Sequence, residues 1–298
     1  IHSLPAGVIT ENTISNVDAV IDVFVSAVER ESINAKRAVV AVSASHAVSS
    51  NITLPKHLSD DEMESLVELE ASQFVPYPLE DVNLDFQVLG ASGLNPEDNE
   101  VLAVACRREI IEDCVAVIEA AELEVQIVDI DTYALERVVA HACPSIGLVA
   151  VVDIGHASTH LGVFDGDQTL YSRYQAFGGK QLVDLVVQSF GVSDEEAKGL
   201  IGSENPPDGY QKDVLPQFVQ MAAKEIARAL QFFFSSGATS SVDRIIVTGG
   251  ISQIPGLLKG VANEVGVSTI VLDPFANIQH SFNSHHFVQN SGSLTVAC

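Results

Sequence analysis

The chain is poor in basic residues. Its 298 residues contain 15 Lys and Arg against 40 Asp and Glu, so the formal net charge is −25 at pH 7. Phosphate backbones and anionic lipid repel a surface this acidic, which excludes nucleic acid and direct membrane insertion as expected partners. Any membrane role is therefore expected to depend on another protein. A solvated acidic surface without a specific ligand is the alternative explanation of the charge.

Several sequence signals are absent as well. The cysteines show no CxxC or Cys/His spacing, which favours reduced thiols over disulfides or a metal site; they are Cys106, Cys114, Cys143 and Cys298. No apolar run reaches the roughly 18 residues that span a bilayer, and no signal peptide is recognisable. Walker A, GxSxG and GxGxxG motifs are missing. Because the first residue is Ile rather than Met, we expect a fragment of a longer chain.

Hydrophobic periodicity predicts an α/β protein. Helices are predicted at 16–31, 59–73, 110–121, 133–142, 181–190, 211–235 and 255–265. Strands are predicted at 38–42, 48–54, 82–89, 100–106, 125–129, 148–153, 160–164, 169–176, 244–248 and 269–272, with 48–54 pairing beside 38–42. Ser59 and Ser193 each begin a capping box. The order after residue 148 is typical of one half of a duplicated ribonuclease-H-like fold.

A first candidate binding motif joins two of these strands. It reads Asp153-Ile-Gly155-His-Ala-Ser158-Thr159. Gly155 lets the backbone approach an anion closely, successive amides can form a nest for phosphate oxygens, and the two hydroxyls add donors. Asp153, at the end of its strand, suits Mg²⁺ held through water. A plain hairpin, in which Asp153 and Gly155 only shape the turn, is the alternative.

A second motif follows a later strand. In Thr248-Gly249-Gly250, two adjacent glycines leave no side chains over a flat ring, so a base or ribose can pack on the backbone. A turn with glycines for conformational reasons is the alternative. Glu225 and Arg228 share a helix face, where they could contact ribose hydroxyls and a purine, or simply form an ion pair. Together the two glycine motifs predict a nucleotide cleft more strongly than either does alone.

These residues carry a family resemblance. The motif 153–159 resembles the second phosphate motif of the actin, Hsp70 and sugar-kinase superfamily, and 246–257 resembles its adenosine motif. More specific segments resemble the PilM family of type IV pilus assembly proteins nearly end to end; they are 74–89, 127–135, 177–182 and 273–277. The resemblance implies an actin-like ATPase fold, a duplicated ribonuclease-H-like α/β architecture. It also implies an inserted α+β subdomain like that of the cell-division protein FtsA, with the N-terminal strands missing.

The resemblance also implies a division of the chain and a cofactor. The first core subdomain would contain residues 1–36, which are only part of it, and residues 128–146, and the inserted subdomain would contain residues 37–127. The second core subdomain would contain residues 147–190 and 244–288, with a helical cap subdomain at 191–243. The final helix of the first core subdomain would begin in 289–298. ATP with Mg²⁺ is expected in the cleft, and Gly178 and Gly179 join the cofactor-binding residues. Because the family's first phosphate motif is not in this sequence, we expect weakened ATP binding.

The partner implied by the resemblance is the short N-terminal cytoplasmic peptide of PilN, a single-span inner-membrane protein. The peptide would lie in a groove between the inserted and first core subdomains. It would hold a cytoplasmic protein at the inner-membrane pilus assembly platform that serves twitching motility. An actin-like enzyme, at most a weak ATPase or a small-molecule kinase, is an alternative, with Glu136 as candidate catalytic residue. An FtsA-type cell-division protein is a third. The Pro76-Tyr77-Pro78 joint is either a partner site or a rigid loop.

Overall fold

A computed structural model describes residues 2, 4–5, 7–10, 12–93, 95–143, 147–166, 168–203, 205–237, 239–275 and 291–298. The chain divides into two compact units, Ile1–Asp131 and Thr132–Cys298. Within the described ranges, no helix has both the length and the apolar character needed to cross a bilayer.

The first unit contains seven strands and three helices among its described residues. In chain order they are β1 (Ile9–Thr10), β2 (Thr13–Ile14), α1 (Val17–Arg30), β3 (Arg37–Val42), β4 (Ala47–Pro55), α2 (Asp60–Phe74), β5 (Val82–Ala91), β6 (Asp98–Arg107), α3 (Arg108–Glu119) and β7 (Glu124–Ile130). The predicted α1 begins where expected, because the Asn16 side chain accepts a hydrogen bond from the Ala19 amide at 3.0 Å. β3 and β7 pair in parallel, and α3 lies against both strands.

A separate antiparallel sheet with the order β4-β6-β5 packs on α2. The predicted capping box at Ser59 is confirmed, since Ser59 and Glu62 exchange hydrogen bonds at the start of α2. The predicted pairing of 48–54 beside 38–42 is wrong, because β4 pairs along its length with β6. Leu54 and the partly buried Ile52 of β4 belong to the cluster that includes α2, together with Met63, Val67, Val101 and Ala103. Burial of this face therefore decides the partner of β4.

The second unit contains one larger sheet. Its elements are α4 (Asp131–Ala142, which begins at the last residue of the first unit), β8 (Leu148–Ile154), β9 (Thr159–Asp165), β10 (Gln168–Gln175), α5 (Gly179–Phe190), α6 (Asp194–Ile201), α7 (Leu215–Ser235), β11 (Arg244–Thr248), α8 (Leu257–Val265) and β12 (Thr269–Val271). The strand order is β10-β9-β8-β11-β12. β8, β11 and β12 are parallel, whereas β9 runs antiparallel to both of its neighbours. This is the sheet of a ribonuclease-H-like half, as the order of elements predicted.

Both faces of this sheet are covered. Successive residues of β8 point to opposite faces, so Val149 and Val151 pack with Val138 and Val139 of α4, while Ala150 and Val152 pack in the larger cluster with α5, α7 and α8. The long helix predicted from residue 211 starts later than expected. A π-helical turn spans Tyr210–Val214 and α7 begins at Leu215, because Pro216 has no amide proton for a regular helical bond.

The remaining local predictions concern caps and thiols. The capping box at Ser193 is confirmed, and Gly191 ends α5 in the left-handed conformation with φ of 66°. All four cysteines are free, as predicted. Burial raises the pKa of the Cys106 and Cys114 thiols, which keeps both protonated and unreactive at neutral pH. The predicted domain boundaries stay a prediction; the β4-β6-β5 sheet and α2 occupy residues 47–107.

Candidate functional site

The two glycine motifs meet at one edge of the five-stranded sheet. Asp153 and Thr248 are register partners near the carboxyl ends of the parallel strands β8 and β11. Gly249 follows with φ of 92°, and a Cβ placed there would lie 2.5 Å from Asp153 Oδ1 and would also collide with the Ile154 carbonyl oxygen. Only glycine fits this conformation and this contact. The two motifs, which are far apart in the sequence, are therefore in direct contact.

The turn after Asp153 is short and opens to solvent. The Gly155 amide donates to the Ser158 carbonyl at 3.0 Å and closes the turn. His156 and Ala157 at its tip are exposed, while Asp153, Gly155 and Ser158 are partly exposed. The tip can therefore be reached by a ligand from solvent.

The first turn of α5 holds this turn from behind. The amides of Gly179 and Lys180 donate to the carbonyls of Gly155 and His156 at 2.9 and 2.8 Å. A Cβ on Gly178 would lie 2.6 Å from both carbonyl oxygens, and the Gly178 amide itself donates to Gln181 Oε1 at 2.7 Å. Gly178 and Gly179, predicted as cofactor-binding residues, thus allow main-chain packing against the turn, and their amides donate within the protein.

Thr159 is similarly occupied. Its side chain is buried, and its hydroxyl donates to the Phe177 carbonyl at 2.6 Å. Since a hydroxyl has one proton, this bond ties the start of β9 to the segment before α5. The geometry gives Thr159 a role in positioning the turn, in place of the ligand donor that the motif predicted.

The second motif presents an open backbone surface. Gly250 is exposed, and no heavy atom lies within 4 Å of where its Cβ would be. The Ser252 amide closes the turn by donating to the Gly249 carbonyl at 3.1 Å, and Gly256 with φ of 86° precedes α8. The open space at Gly250 leaves room for a planar ring, and the packing of a base or ribose there stays a prediction.

Sequence reasoning missed a segment that packs on this turn. Residues Ser291–Ala297 form a 3₁₀ helix whose Gly292 carbonyl accepts a hydrogen bond from the Gly249 amide at 3.0 Å. The hydroxyls of Thr248 and Thr295 lie 2.5 Å apart beside the same carbonyl. Thr248 and Gly292 are 44 residues apart in the chain, so no local pattern indicates this contact.

Glu225 and Arg228 form the ion pair that was the alternative interpretation. Arg228 Nη2 lies 2.5 Å from Glu225 Oε2. The Gln175 side chain donates to the Glu225 carbonyl at 3.4 Å, and Gln175 pairs with Thr159. The Glu225 turn therefore lies at the same end of the sheet as Thr159, with its carboxylate engaged by Arg228.

Glu136 lies at the other end. Its carboxylate accepts a hydrogen bond from Thr169, which pairs with Phe164, and Phe164 pairs with Val149 at the start of β8. Asp153 lies four residue steps along the extended strand from Val149, a length of about 13 Å. The structure therefore does not bring the candidate catalytic residue to the turn that follows Asp153.

Charged groups around the turn show no metal cluster. In the part of the chain that the structure describes, no three or more His, Cys, Asp or Glu side chains are grouped to hold a metal ion. Lys180 forms a salt bridge with Asp184 at 2.9 Å, and this hydrogen bond raises the pKa of Lys180. A cation at Asp153 would therefore take its other ligands from water and from a bound anion.

Comparison with known proteins decides the family. The model of the family described as type IV pilus assembly protein PilM matches residues 1–298. The chain belongs to the PilM family. The whole-chain match confirms the resemblance that the sequence motifs carried and makes the chain a type IV pilus assembly protein.

Solved structures support the fold of this PilM-family chain. A PilM–PilN type IV pilus biogenesis complex is 23% identical, with 98% of this chain and 87% of that chain covered and a TM-score of 0.82. MreB 5 of Spiroplasma citri bound to AMPPNP is 11% identical, with 97% and 76% covered and a TM-score of 0.50. The predicted actin-like ATPase fold is confirmed.

The PilM-like segment 273–277 is described in part: residues 273–275 belong to the described ranges, and 276–277 lie outside them. The Pro76-Tyr77-Pro78 joint follows α2, and the Tyr77 ring lies 5.7 Å from the Arg107 guanidinium carbon. This contact fixes the joint against β6.

Proposed function

We propose that this PilM-family chain is an actin-like scaffold that docks the N-terminal cytoplasmic peptide of PilN in the inner-membrane pilus assembly platform. The observation that carries the proposal is the family match over the whole chain. The structural similarity to a PilM–PilN complex, which extends over 98% of this chain, supports it. The partner peptide would hold the protein at the cytoplasmic side of the inner membrane. ATP would act as a ligand that favours one conformation.

The residues around Asp153 fit a nucleotide. Gly250, with open space above it, would receive the adenosine, and the exposed tip of the turn with Gly155 and Ser158 would face the phosphates. Asp153 would hold Mg²⁺ through water beside phosphate oxygens, an arrangement that needs only one carboxylate. Glu225 and Arg228 would reach ribose and purine only if their ion pair opened.

Charge distribution favours the first unit as the peptide-binding unit. Residues 1–131 contain 25 acidic and 6 basic residues, a net of −19, whereas residues 132–298 contain 15 and 9, a net of −6. Cytoplasmic segments beside a membrane span carry an excess of Lys and Arg. A basic tail is attracted to the first unit, while an anionic nucleotide meets a weaker repulsion in the second.

Calorimetric titration tests the docking. The full chain is titrated with the cytoplasmic N-terminal peptide of the cognate PilN, with and without Mg-ATP, and a scrambled peptide is the control. We expect saturable binding by the native peptide that changes with nucleotide. Binding that ignores nucleotide would make ATP a structural ligand. Absence of binding in both conditions would contradict the docking and favour the enzyme or FtsA-type alternatives.

A glycine pair tests the nucleotide site. Gly249→Ala places a methyl group against Asp153, whereas Gly266→Ala has a similar positive φ of 77° but no heavy atom within 4 Å of its new Cβ. We expect Gly249→Ala to weaken nucleotide binding at least about tenfold and Gly266→Ala to leave it near wild type. Equal affinities for the two variants would contradict the site. The weakened affinity expected from the sequence stays a prediction, which titration of the wild type measures.

A further inference from the structure

The Ser291–Ala297 segment contacts the turn at residues 249–252 through its main chain. The Gly249 amide donates to the Gly292 carbonyl at 3.0 Å. A Cβ on Gly292 would lie 2.5 Å from Ser252 Oγ and 3.0 Å from the Gly249 carbonyl oxygen. A side chain at 292 would therefore crowd Ser252 and the Gly249 carbonyl, which shows how closely the segment approaches the turn.

Two threonine hydroxyls complete this contact. Thr248 Oγ1 lies 3.1 Å and Thr295 Oγ1 2.9 Å from the Gly292 carbonyl oxygen, and the hydroxyl oxygens are 2.5 Å apart. Each hydroxyl has one proton, so one threonine donates to the other, which donates to the carbonyl. Both side chains are buried, at 0% and 1% exposure. Valine would fill the same space without the cost of burying a hydroxyl, so packing alone does not explain the pair.

The contact continues to Asp153. The Gly249 amide donates to the Gly292 carbonyl, and this hydrogen bond helps to hold Gly249 at its positive φ. Gly249 in turn lies directly against Asp153 Oδ1. We infer that Gly292 and Thr295 are positioning residues for nucleotide binding. They hold Gly249 against Asp153, so docking of 291–297 and binding of nucleotide stabilise each other. The inference rests on the proposed nucleotide site, and coupling of this kind is reciprocal.

Thr295→Val removes the hydroxyl at nearly constant volume, and Thr295→Ser retains it. Thr269→Val is the matched control, because Thr269 is a partly buried threonine of the same unit whose hydroxyl donates to the nearby Val267 carbonyl at 3.1 Å. We expect Thr295→Val to raise the Kd for ADP about tenfold, the effect of one lost buried hydrogen bond. Thr295→Ser and Thr269→Val should stay within about twofold of the wild type.

Hydrogen exchange of the full chain gives a readout that a merely structural threonine would not change. We expect ADP to increase protection of the 291–297 amides in the wild type and in Thr295→Ser but not in Thr295→Val. Without ADP, Thr295→Val should exchange faster than wild type at residues 249–256. Wild-type affinity in Thr295→Val, or protection of 291–297 that ignores ADP, would overturn the inference while leaving the nucleotide site intact. A wild type that binds no ADP would overturn the nucleotide site and this inference together.

Discussion

The two units of this protein differ in how they bury apolar surface. The second has a five-stranded sheet with buried clusters on both faces. The first has small clusters around three sheets of two, two and three strands among its described residues. It leaves Val39 and Ile127, which are register partners on β3 and β7, 64% and 56% exposed. The second unit thus has the more extensive core, whereas the first leaves apolar side chains exposed on one of its sheets.

Charge separates the units in the same sense. The first carries −19 of the total −25, although it is the shorter of the two. Repulsion among like charges opposes compaction of the first unit more than of the second. A larger core with modest charge and smaller clusters with high charge agree with the tasks proposed above, nucleotide binding by the second unit and peptide docking by the first.

The comparison is tested most strongly in the cores. Phe218 is fully buried and stacks on Phe177 with ring centroids 5.7 Å apart, so Phe218→Ala should cost about 3–5 kcal/mol of unfolding free energy. Val67→Ala in the first unit should cost less, about 1–3 kcal/mol, because fewer atoms are removed. Hydrogen exchange should locate each loss in its own unit. Equal losses in both units from either variant would show that the cores act as one.

The second largest effect is expected at the close packing of α5 on the turn at residues 155–158. Gly178→Ala forces a methyl group against the Gly155 and His156 carbonyls and should cost about 1–3 kcal/mol, with weaker ATP binding. Gly199→Ala, in α6 with no heavy atom within 4 Å, is the control and should be neutral or stabilising. Thermal unfolding and titration measure both. Unchanged stability and ATP affinity in Gly178→Ala would mean that α5 can move away from the turn without cost.

Helix caps offer a pair with one member in each unit. Ser59→Ala and Ser193→Ala should each cost about 1 kcal/mol. Hydrogen bonds from Ser59 lower the pKa of Glu62, and those from Ser193 lower that of Glu196. Because each folded pKa is depressed, the stabilisation is present above the ordinary glutamate pKa and is lost as pH falls through the folded value. Acid titration should therefore remove the part of each difference that depends on the ionised glutamate. The bond that each serine hydroxyl accepts from a backbone amide does not titrate, so a smaller difference should remain at low pH. A difference that does not change with pH would contradict this.

Salt should produce the smallest difference. Raising ionic strength from 0.1 to 1 M shortens the screening length from about 10 to about 3 Å and relieves repulsion. We expect the free energy of unfolding of the first unit to rise by on the order of 1 kcal/mol, because exposed charge pairs contribute up to about 1 kcal/mol each. That of the second unit should rise less, because its net charge is smaller. Amide protection measured in both units checks this. A larger gain in the second unit would remove the charge contrast.

Local patterns predicted much of this fold. Capping boxes at Ser59 and Ser193, the three consecutive strands from Leu148 and the turn glycines all follow from short-range chemistry. The partner of β4 did not, because strand pairing across intervening elements depends on which face is buried. Contact between the two glycine motifs was expected from a family resemblance, since spacing alone does not bring Asp153 to Gly249.

The site was harder to predict in its details. The Thr159 motif predicts a hydroxyl beside a phosphate, but the Phe177 carbonyl accepts that proton. Gly178 carries no mark in the sequence that separates ligand contact from backbone packing. Gly292 and Thr295 join the turn only through tertiary structure, and an isolated Gly and Thr carry no signal of such a contact.

Main-chain bonds anchor the phosphate turn at Gly155 and His156, so the side chains at its exposed tip contribute little to its shape. The tip is therefore open to chemical engineering. A cysteine introduced at Ala157, in a background where Cys298 is replaced because it is also exposed, would carry a fluorescent dye beside the proposed nucleotide site. Such a labelled protein would turn occupancy of the site into an optical signal that can be followed while a pilus is being assembled.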